Sequence, residues 1–85
     1  MNWKVLVDAK ARNSLERIPE KYSLRLKNAI DGMEIDPFDG DVEKLGGQEN
    51  VWRKRIGAYR LRYEIYKEKK IVYIFKIERR TSSTY

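Results

Sequence analysis

VWRKRIGAYRLRYEIY, residues 51–66, is the stretch of sequence that decides the fold of this chain. Segments 51–56 and 59–66 are rich in β-branched and aromatic residues, and the Gly57-Ala58 pair between them is typical of a tight turn, so the stretch predicts a β-hairpin. In segment 59–66, apolar and charged residues alternate, which gives one strand a core face and a surface face. The core face carries Tyr59, Leu61, Tyr63 and Ile65.

The segments on either side of this hairpin complete a sheet. Residues 70–77 predict a third strand, reached through a turn at 67–69 and apolar on both faces, as is typical of a central strand. In residues 2–7, apolar side chains recur at every second position, which predicts an N-terminal strand. The third strand has two predicted sides, Ile71, Tyr73, Phe75 and Ile77 on one and Val72, Ile74 and Lys76 on the other, and we assign Tyr73 to the core.

Two helices are predicted between the N-terminal strand and the hairpin. Asp8 is a candidate N-cap, because its carboxylate can accept from the free amides of a first helical turn. The first helix ends at Pro19, which also opens the second. The second helix is closed by Gly32 and Asp36-Pro37 and has one apolar stripe at helical spacing. The stripe consists of Tyr22, Leu26, Ala29, Ile30 and Met33.

Residues 36–50 are rich in glycine and acidic residues and predict an irregular connection that carries no core. The predicted fold class is therefore α+β. An N-terminal strand, a helical hairpin and a three-stranded antiparallel meander form one curved, four-stranded sheet with the helices on one face. Because a chain of 85 residues has room for one core, we expect a single domain over residues 1–85.

Composition excludes several classes of protein. The chain has neither cysteine nor histidine, so a disulfide framework and a zinc site are not expected, and we predict no metal and no other cofactor. The first residues lack the apolar run of a signal peptide, and no stretch approaches the roughly 20 apolar residues of a membrane span. We therefore expect a cytoplasmic protein.

Positive charge is concentrated in the second half of the chain. Residues 1–50 hold eight Lys/Arg and ten Asp/Glu, whereas residues 51–85 hold eleven and three, which gives net charges of −2 and +8. Such a segment attracts polyanions, although a solvated face that keeps the protein in solution has the same composition. Charge alone leaves both interpretations open.

The placement of the arginines favours phosphate binding. Arg53 and Arg55 alternate on one strand of the hairpin, and Arg60 and Arg62 alternate on the other. If the hairpin brings these faces together, four guanidinium groups line one concave surface, with only Glu64 interspersed. Like charges opposed across strands are destabilising, so solubility alone does not explain them. A guanidinium contacts phosphate oxygens bidentately, which favours phosphate or nucleic acid as the ligand.

Five short motifs follow one another over nearly the whole chain. They are Asp36-Pro37, KLGG at 44–47, VWRKRIG at 51–57, AYRLRYEI at 58–65, and IERR at 77–80 with Tyr85. In this order they resemble the motifs of the RelE/ParE superfamily of type II toxin–antitoxin toxins, in which an acidic-proline helix end is followed by "kL.g", "yRiRvG", "YRviYei" and "i.hR…Y". The resemblance implies the fold predicted above.

The RelE-like branch implies an activity and a set of site residues. It implies a metal-independent endoribonuclease that cuts messenger RNA on the ribosome by attack of the 2′-hydroxyl, and a cognate antitoxin that binds the toxin in a hetero-oligomer. Arg60 would stabilise charge on the scissile phosphate, Arg80 would act near the leaving oxygen, and Tyr85 would lie near the 2′-hydroxyl. The implied RNA-binding residues are Arg53, Lys54, Arg55, Arg62 and Arg79.

Two alternatives share this fold. A ParE-like toxin would inhibit DNA gyrase by protein contact, and a non-catalytic member would only bind its antitoxin or nucleic acid. Convergence of Arg60, Arg80 and a tyrosine on one nucleotide is required by the RelE-like hypothesis alone. Because guanidinium is almost always protonated and the pKa of tyrosine is near 10, we expect slow cleavage of free RNA and dependence on the ribosome.

Overall fold

The computed structural model of the chain describes residues 2–46 and 50–79. Its elements, in order, are β1 (Lys4–Val7), α1 (Ala9–Arg17), α2 (Glu20–Gly32), β2 (Val42–Lys44), β3 (Val51–Ile56), β4 (Tyr59–Tyr66) and β5 (Ile71–Arg79). The strands form one sheet in the order β1-β5-β4-β3-β2. Strand β1 pairs parallel with β5, and the other neighbours are antiparallel. The predicted α+β fold is confirmed.

The two helices begin and end where the sequence predicts. The Asp8 carboxylate accepts a hydrogen bond from the amide of Lys10 at 3.2 Å and caps α1. Helix α1 ends at Arg17, just before Pro19, and the carbonyl of Pro19 accepts from the amides of Tyr22 and Ser23 in the first turn of α2. A proline is suited to this junction because a first helical turn does not need its missing N–H.

The core lies between the helices and one face of the sheet. Leu26 and Ile30 of α2 are buried, as is Met33 directly after it, which confirms these three residues of the stripe as core-facing. The prediction is wrong for Tyr22, which is exposed at the start of the helix, and Ala29 is half-buried. On the sheet, β4 buries Tyr59, Leu61, Tyr63 and Ile65, as its alternation predicts. Neither helix of the described residues is long and apolar enough to cross a membrane.

The segment between α2 and β3 differs from the prediction. Val42–Lys44 forms a strand on the edge of the sheet, paired with β3, so the sheet has five strands where four were predicted. The segment also contributes to the core, because Pro37 is fully buried and its carbonyl accepts from the buried hydroxyl of Tyr63 at 3.2 Å. Phe38 packs edge to face against both Trp3 and Trp52. Three residues are too few for an alternation of apolar and polar side chains to be recognised in the sequence. The strand is therefore defined only by its pairing with β3.

The faces of β5 also differ from the prediction. Tyr63 of β4 pairs with Ile74, but Arg62 pairs with Lys76, so Phe75 is an extra residue in a β-bulge. The bulge reverses the alternation, and the buried residues of β5 are Val72, Ile74 and Ile77. The assignment of Tyr73 to the core is therefore wrong. Its hydroxyl donates to the Asp8 carboxylate at 2.7 Å in a half-buried contact.

Candidate nucleic-acid interface

The four arginines of the β3–β4 hairpin lie together on the face of the sheet that the helices leave uncovered. Arg53 is the cross-strand partner of Arg62, and Arg55 is the partner of Arg60. The register follows from the two-residue turn, in which Gly57 has a φ of +59°, a conformation that glycine adopts without strain. Directly paired residues project to the same side of a sheet, so the predicted alignment is confirmed. We call these four residues the arginine face.

Carboxylates from outside the hairpin contact three of these arginines. Glu43 of β2 bonds to Arg53, Asp41 lies 3.8 Å from Arg55, and Glu78 of β5 lies 3.1 Å from Arg62. The expectation that only Glu64 balances the arginines is therefore wrong, since Glu64 instead accepts from the hydroxyl of Tyr66. Asp41 and Glu43 are largely exposed, so water and salt screen their ion pairs and an incoming anion can replace them.

Arg60 differs from the other three arginines. Within residues 2–46 and 50–79, no carboxylate lies at salt-bridge distance from it. Its buried Nε has no hydrogen-bond partner there, a feature that it shares with the Nε atoms of Arg55 and Arg62. Its partner on the other neighbouring strand, β5, is Glu78, but the Glu78 carboxylate contacts Arg62 and Lys76 instead. Buried polar groups are normally hydrogen-bonded. A half-buried guanidinium with unused donors is therefore suited to bind an anion that comes from outside.

Two of the implied RNA-binding residues lie on the other side of the sheet. Lys54 is paired with Leu61, which is fully buried beneath the helices, and Arg79 is paired with Tyr59, which is buried on the same side. Arg79 does not project toward the arginine face, because the bulge at Phe75 sets its register. Arg80 and Tyr85, the other two implied catalytic residues, lie outside the described residues.

Two tyrosines of the helix-free face have raised pKa values. The hydrogen bond to Glu64 raises the pKa of Tyr66, and the hydrogen bond to Asp8 raises the pKa of Tyr73. A carboxylate acceptor stabilises the protonated hydroxyl, so neither side chain is suited to act as a general base near neutral pH. Burial raises the pKa of Tyr63 as well. Proton abstraction therefore has no tyrosine candidate on the described part of this face.

Four charged residues of this face were not singled out from the sequence. Lys76 and Glu78 reach it because of the bulge, and Asp41 and Glu43 reach it through a strand that was not predicted. The available signal was the spacing of Asp41 and Glu43, two residues apart like Arg53 and Arg55. Among the described residues, no group of three or more potential metal ligands is found.

The five-stranded sheet with a helical hairpin behind it is similar in fold to toxins from bacterial and archaeal toxin–antitoxin pairs. In solved structures it matches an archaeal RelE–RelB complex from Pyrococcus horikoshii OT3, with a TM-score of 0.86 and 26% identity over 98% of this chain and 100% of that one. It also matches the RelBE2 toxin–antitoxin complex of Mycobacterium tuberculosis, with a TM-score of 0.83 and 23% identity over 94% and 100%.

Sequence comparison identifies the family. Residues 5–83 match the model of the ParE toxin of the type II toxin–antitoxin system parDE. A curated relative, the RelE1 protein of Methanocaldococcus jannaschii, is 28% identical over 94% of this chain and 92% of its own length. The chain belongs to the RelE/ParE family of type II toxin–antitoxin toxins, which confirms the resemblance drawn from its motifs.

Proposed function

We propose that this toxin is a RelE-like endoribonuclease that cuts messenger RNA on the ribosome. The observation that carries the proposal is the arginine face, in which the partly exposed guanidinium of Arg60 has no carboxylate at salt-bridge distance in the described part of the chain. A guanidinium with unused donors can contact phosphate oxygens bidentately, which supports RNA as the ligand.

The reaction assigned to this face is attack of an RNA 2′-hydroxyl on the adjacent phosphate. Charge builds up on the phosphorane oxygens during that step, and preorganised donors aimed at it lower the barrier. Arg60 is the residue assigned to those oxygens. Arg53, Arg55 and Arg62 bind the neighbouring phosphates, for which a planar guanidinium fork is well suited. By the family resemblance, Arg80 acts near the leaving 5′-oxygen and Tyr85 near the 2′-hydroxyl.

Dependence on the ribosome follows from the groups that this face lacks. The chain has no histidine, and Tyr66 and Tyr73 have raised pKa values, so a strong general base is absent from the described part of the face. Correct in-line orientation of the substrate can replace much of that contribution. The ribosome supplies this orientation in the proposal, and a ribosomal target places the toxin in the cytoplasm.

A cognate antitoxin is the second proposed partner. The matched structures of Pyrococcus horikoshii and Mycobacterium tuberculosis are complexes of a toxin with its antitoxin. The +8 charge of residues 51–85 suits an acidic segment that folds as it covers the arginine face and so competes with RNA.

The family model favours a second candidate function. Because residues 5–83 match the ParE toxin of parDE, a toxin that inhibits DNA gyrase by protein contact is the alternative. On that alternative, the arginines bind acidic groups of the target protein and no RNA is cut.

One experiment separates the two functions. The toxin is expressed with and without the open reading frame beside its gene, and messenger RNA breaks are mapped while purified toxin is assayed against gyrase supercoiling. The proposal expects growth arrest with new breaks in translated messages, normal supercoiling, and loss of the breaks in Arg60→Ala. Arrest with intact messages and inhibited supercoiling would replace the proposal with the gyrase alternative.

A further inference from the structure

A cleft of about 390 Å³ opens at the end of the sheet where the turn between β4 and β5 approaches the start of β3. Its lining includes Trp52 and Tyr66 together with three lysines, Lys44, Lys67 and Lys69. Small-molecule sites in proteins are commonly about 300–1,000 Å³, so the cleft is large enough for one small ligand.

The cleft is separate from the arginine face, since none of the four arginines lines it. Along β4, Tyr66 lies four residues beyond Arg62 and six beyond Arg60. At 3.3 Å per residue, these separations are about 13 Å and about 20 Å. At the other end of the cleft, Trp52 directly precedes Arg53 on β3 but projects to the opposite side of the strand. The function proposed above makes no use of the cleft.

The charge of the cleft favours an anion. Among the residues that the structure describes, three lysines line it against one acidic residue, Glu68. Lys67 is partly ordered, because its ammonium lies 5.7 Å from the ring centroid of Phe38 in a cation–π contact. An ammonium group is a compact donor that serves phosphate well.

The aromatic and amide groups of the cleft favour a nucleotide over a simple anion. Trp52 is half-buried and fixed by its edge-to-face contact with Phe38, at 5.2 Å between ring centroids. The Asn50 carbonyl accepts from the amide of Ile65 at 3.1 Å, which holds the Asn50 side chain beside the cleft. Proteins bind single-stranded RNA by stacking bases on aromatic rings and contacting base edges with amides. An acidic peptide would use the lysines but would leave the tryptophan without a role.

We propose that this cleft binds one nucleotide of a single-stranded RNA, with the base against Trp52 and the phosphate among Lys44, Lys67 and Lys69. It would give the toxin a second RNA contact next to Arg53 but on the opposite side of β3, because Trp52 directly precedes Arg53 in the strand. The proposal rests on RNA as the ligand of the toxin, as proposed above, but it does not require that the toxin cleave RNA.

Tryptophan fluorescence tests the site directly. The chain has two tryptophans, so Trp3→Phe leaves Trp52 as the only reporter. We expect adenosine monophosphate to quench this fluorescence saturably, and we expect inorganic phosphate to bind about tenfold more weakly or worse, because it cannot stack. In the same background, the double variant Lys67→Ala/Lys69→Ala should lose most of the affinity. Lys27→Ala, an exposed charge on α2, is the matched control and should change nothing.

The outcomes separate this site from the cleavage function. Arg60→Ala in the Trp3→Phe background should bind adenosine monophosphate normally even if it no longer cuts RNA, so a failure of one proposal leaves the other testable. Quenching that the lysine variants do not alter, or equal binding of inorganic phosphate, would overturn the nucleotide assignment. Saturable binding of an oligoglutamate peptide without binding of the nucleotide would assign the cleft to an acidic protein partner instead.

Discussion

The two faces of β4 serve different purposes within one strand. On the helix side, Leu61 and Tyr63 are fully buried, whereas on the helix-free side Arg60 and Arg62 remain partly exposed beside the arginines of β3. Since neighbouring residues of a strand project to opposite faces, stability and ligand binding are encoded at alternate positions. Substitutions on one face should therefore change the free energy of unfolding, and substitutions on the other should change RNA binding.

The largest change in stability is expected beneath the helix side. Leu26→Ala removes a fully buried side chain from the centre of the core and should lower the free energy of unfolding by about 2–5 kcal/mol. Leu24→Ala on the same helix removes a half-exposed side chain and should cost less than about 0.5 kcal/mol. Urea titration followed by circular dichroism measures both variants. Equal costs for the two would mean that the stripe on α2 does not face the core.

RNA binding by the helix-free side should weaken as the salt concentration rises. If each of the four arginines contacts one phosphate of single-stranded RNA, affinity should fall about fiftyfold between roughly 50 and 200 mM salt, from a slope of about −0.7 per contact. The double variant Arg53→Ala/Arg55→Ala should halve that slope, and Lys27→Ala should leave it unchanged. Fluorescence anisotropy of a labelled oligoribonucleotide gives the slopes. A flat salt dependence would remove phosphate binding from this face.

A smaller change in stability is expected where the core contacts the segment between α2 and β3. Tyr63→Phe removes the hydroxyl that donates to the Pro37 carbonyl inside the protein and should cost about 1 kcal/mol of stability. Tyr66→Phe, whose hydroxyl lies on the exposed side, is the control and should cost much less. Thermal unfolding measures the pair. If Tyr63→Phe is as stable as the wild type, the Pro37 segment is not anchored through this bond.

Much of this arrangement is encoded locally and could be predicted. The alternation in β4 defines its two faces, and the two-residue turn at Gly57 fixes the register that opposes Arg55 to Arg60. The capping of α1 by Asp8 and the helix boundary at Pro19 are equally local. Each of these features depends on residues that lie close together in the sequence.

The features that were not predicted depend on distant pairing. Strand β2 is only three residues long and exists because β3 offers it an edge. The bulge at Phe75 could not be recognised from the sequence, because β5 is apolar on both faces and shows no break in alternation. The bulge nevertheless places Tyr73 on the face opposite Ile77 and brings Glu78 beside Arg62. The carboxylates that balance the arginine face arrive through these two features, so the sequence indicated the cations of the site but not their partners.

The smallest effect is expected in the contact between Asp8 and Tyr73. The hydroxyl of Tyr73 lowers the pKa of Asp8 below its ordinary value of 3.8, so this contact stabilises the fold above that pH and is lost as the pH falls through the lowered pKa. Asp8→Asn keeps an N-cap but removes the charge. Its melting temperature should lie slightly below that of the wild type at pH 6, and the two should converge toward pH 3. A constant difference across this range would contradict the assignment.

The most direct test of the central claim is single-turnover cleavage of ribosome-bound message, with ribosome binding measured separately. Arg60→Ala and Arg80→Ala should each slow cleavage by about two to three orders of magnitude, as is typical when one preorganised donor is lost, with the melting temperature unchanged. Arg60→Lys should also be slow, because a point charge does not reproduce a guanidinium fork, whereas Arg53→Lys should cleave at nearly the wild-type rate. Wild-type rates for both Arg60→Ala and Arg80→Ala would contradict the account.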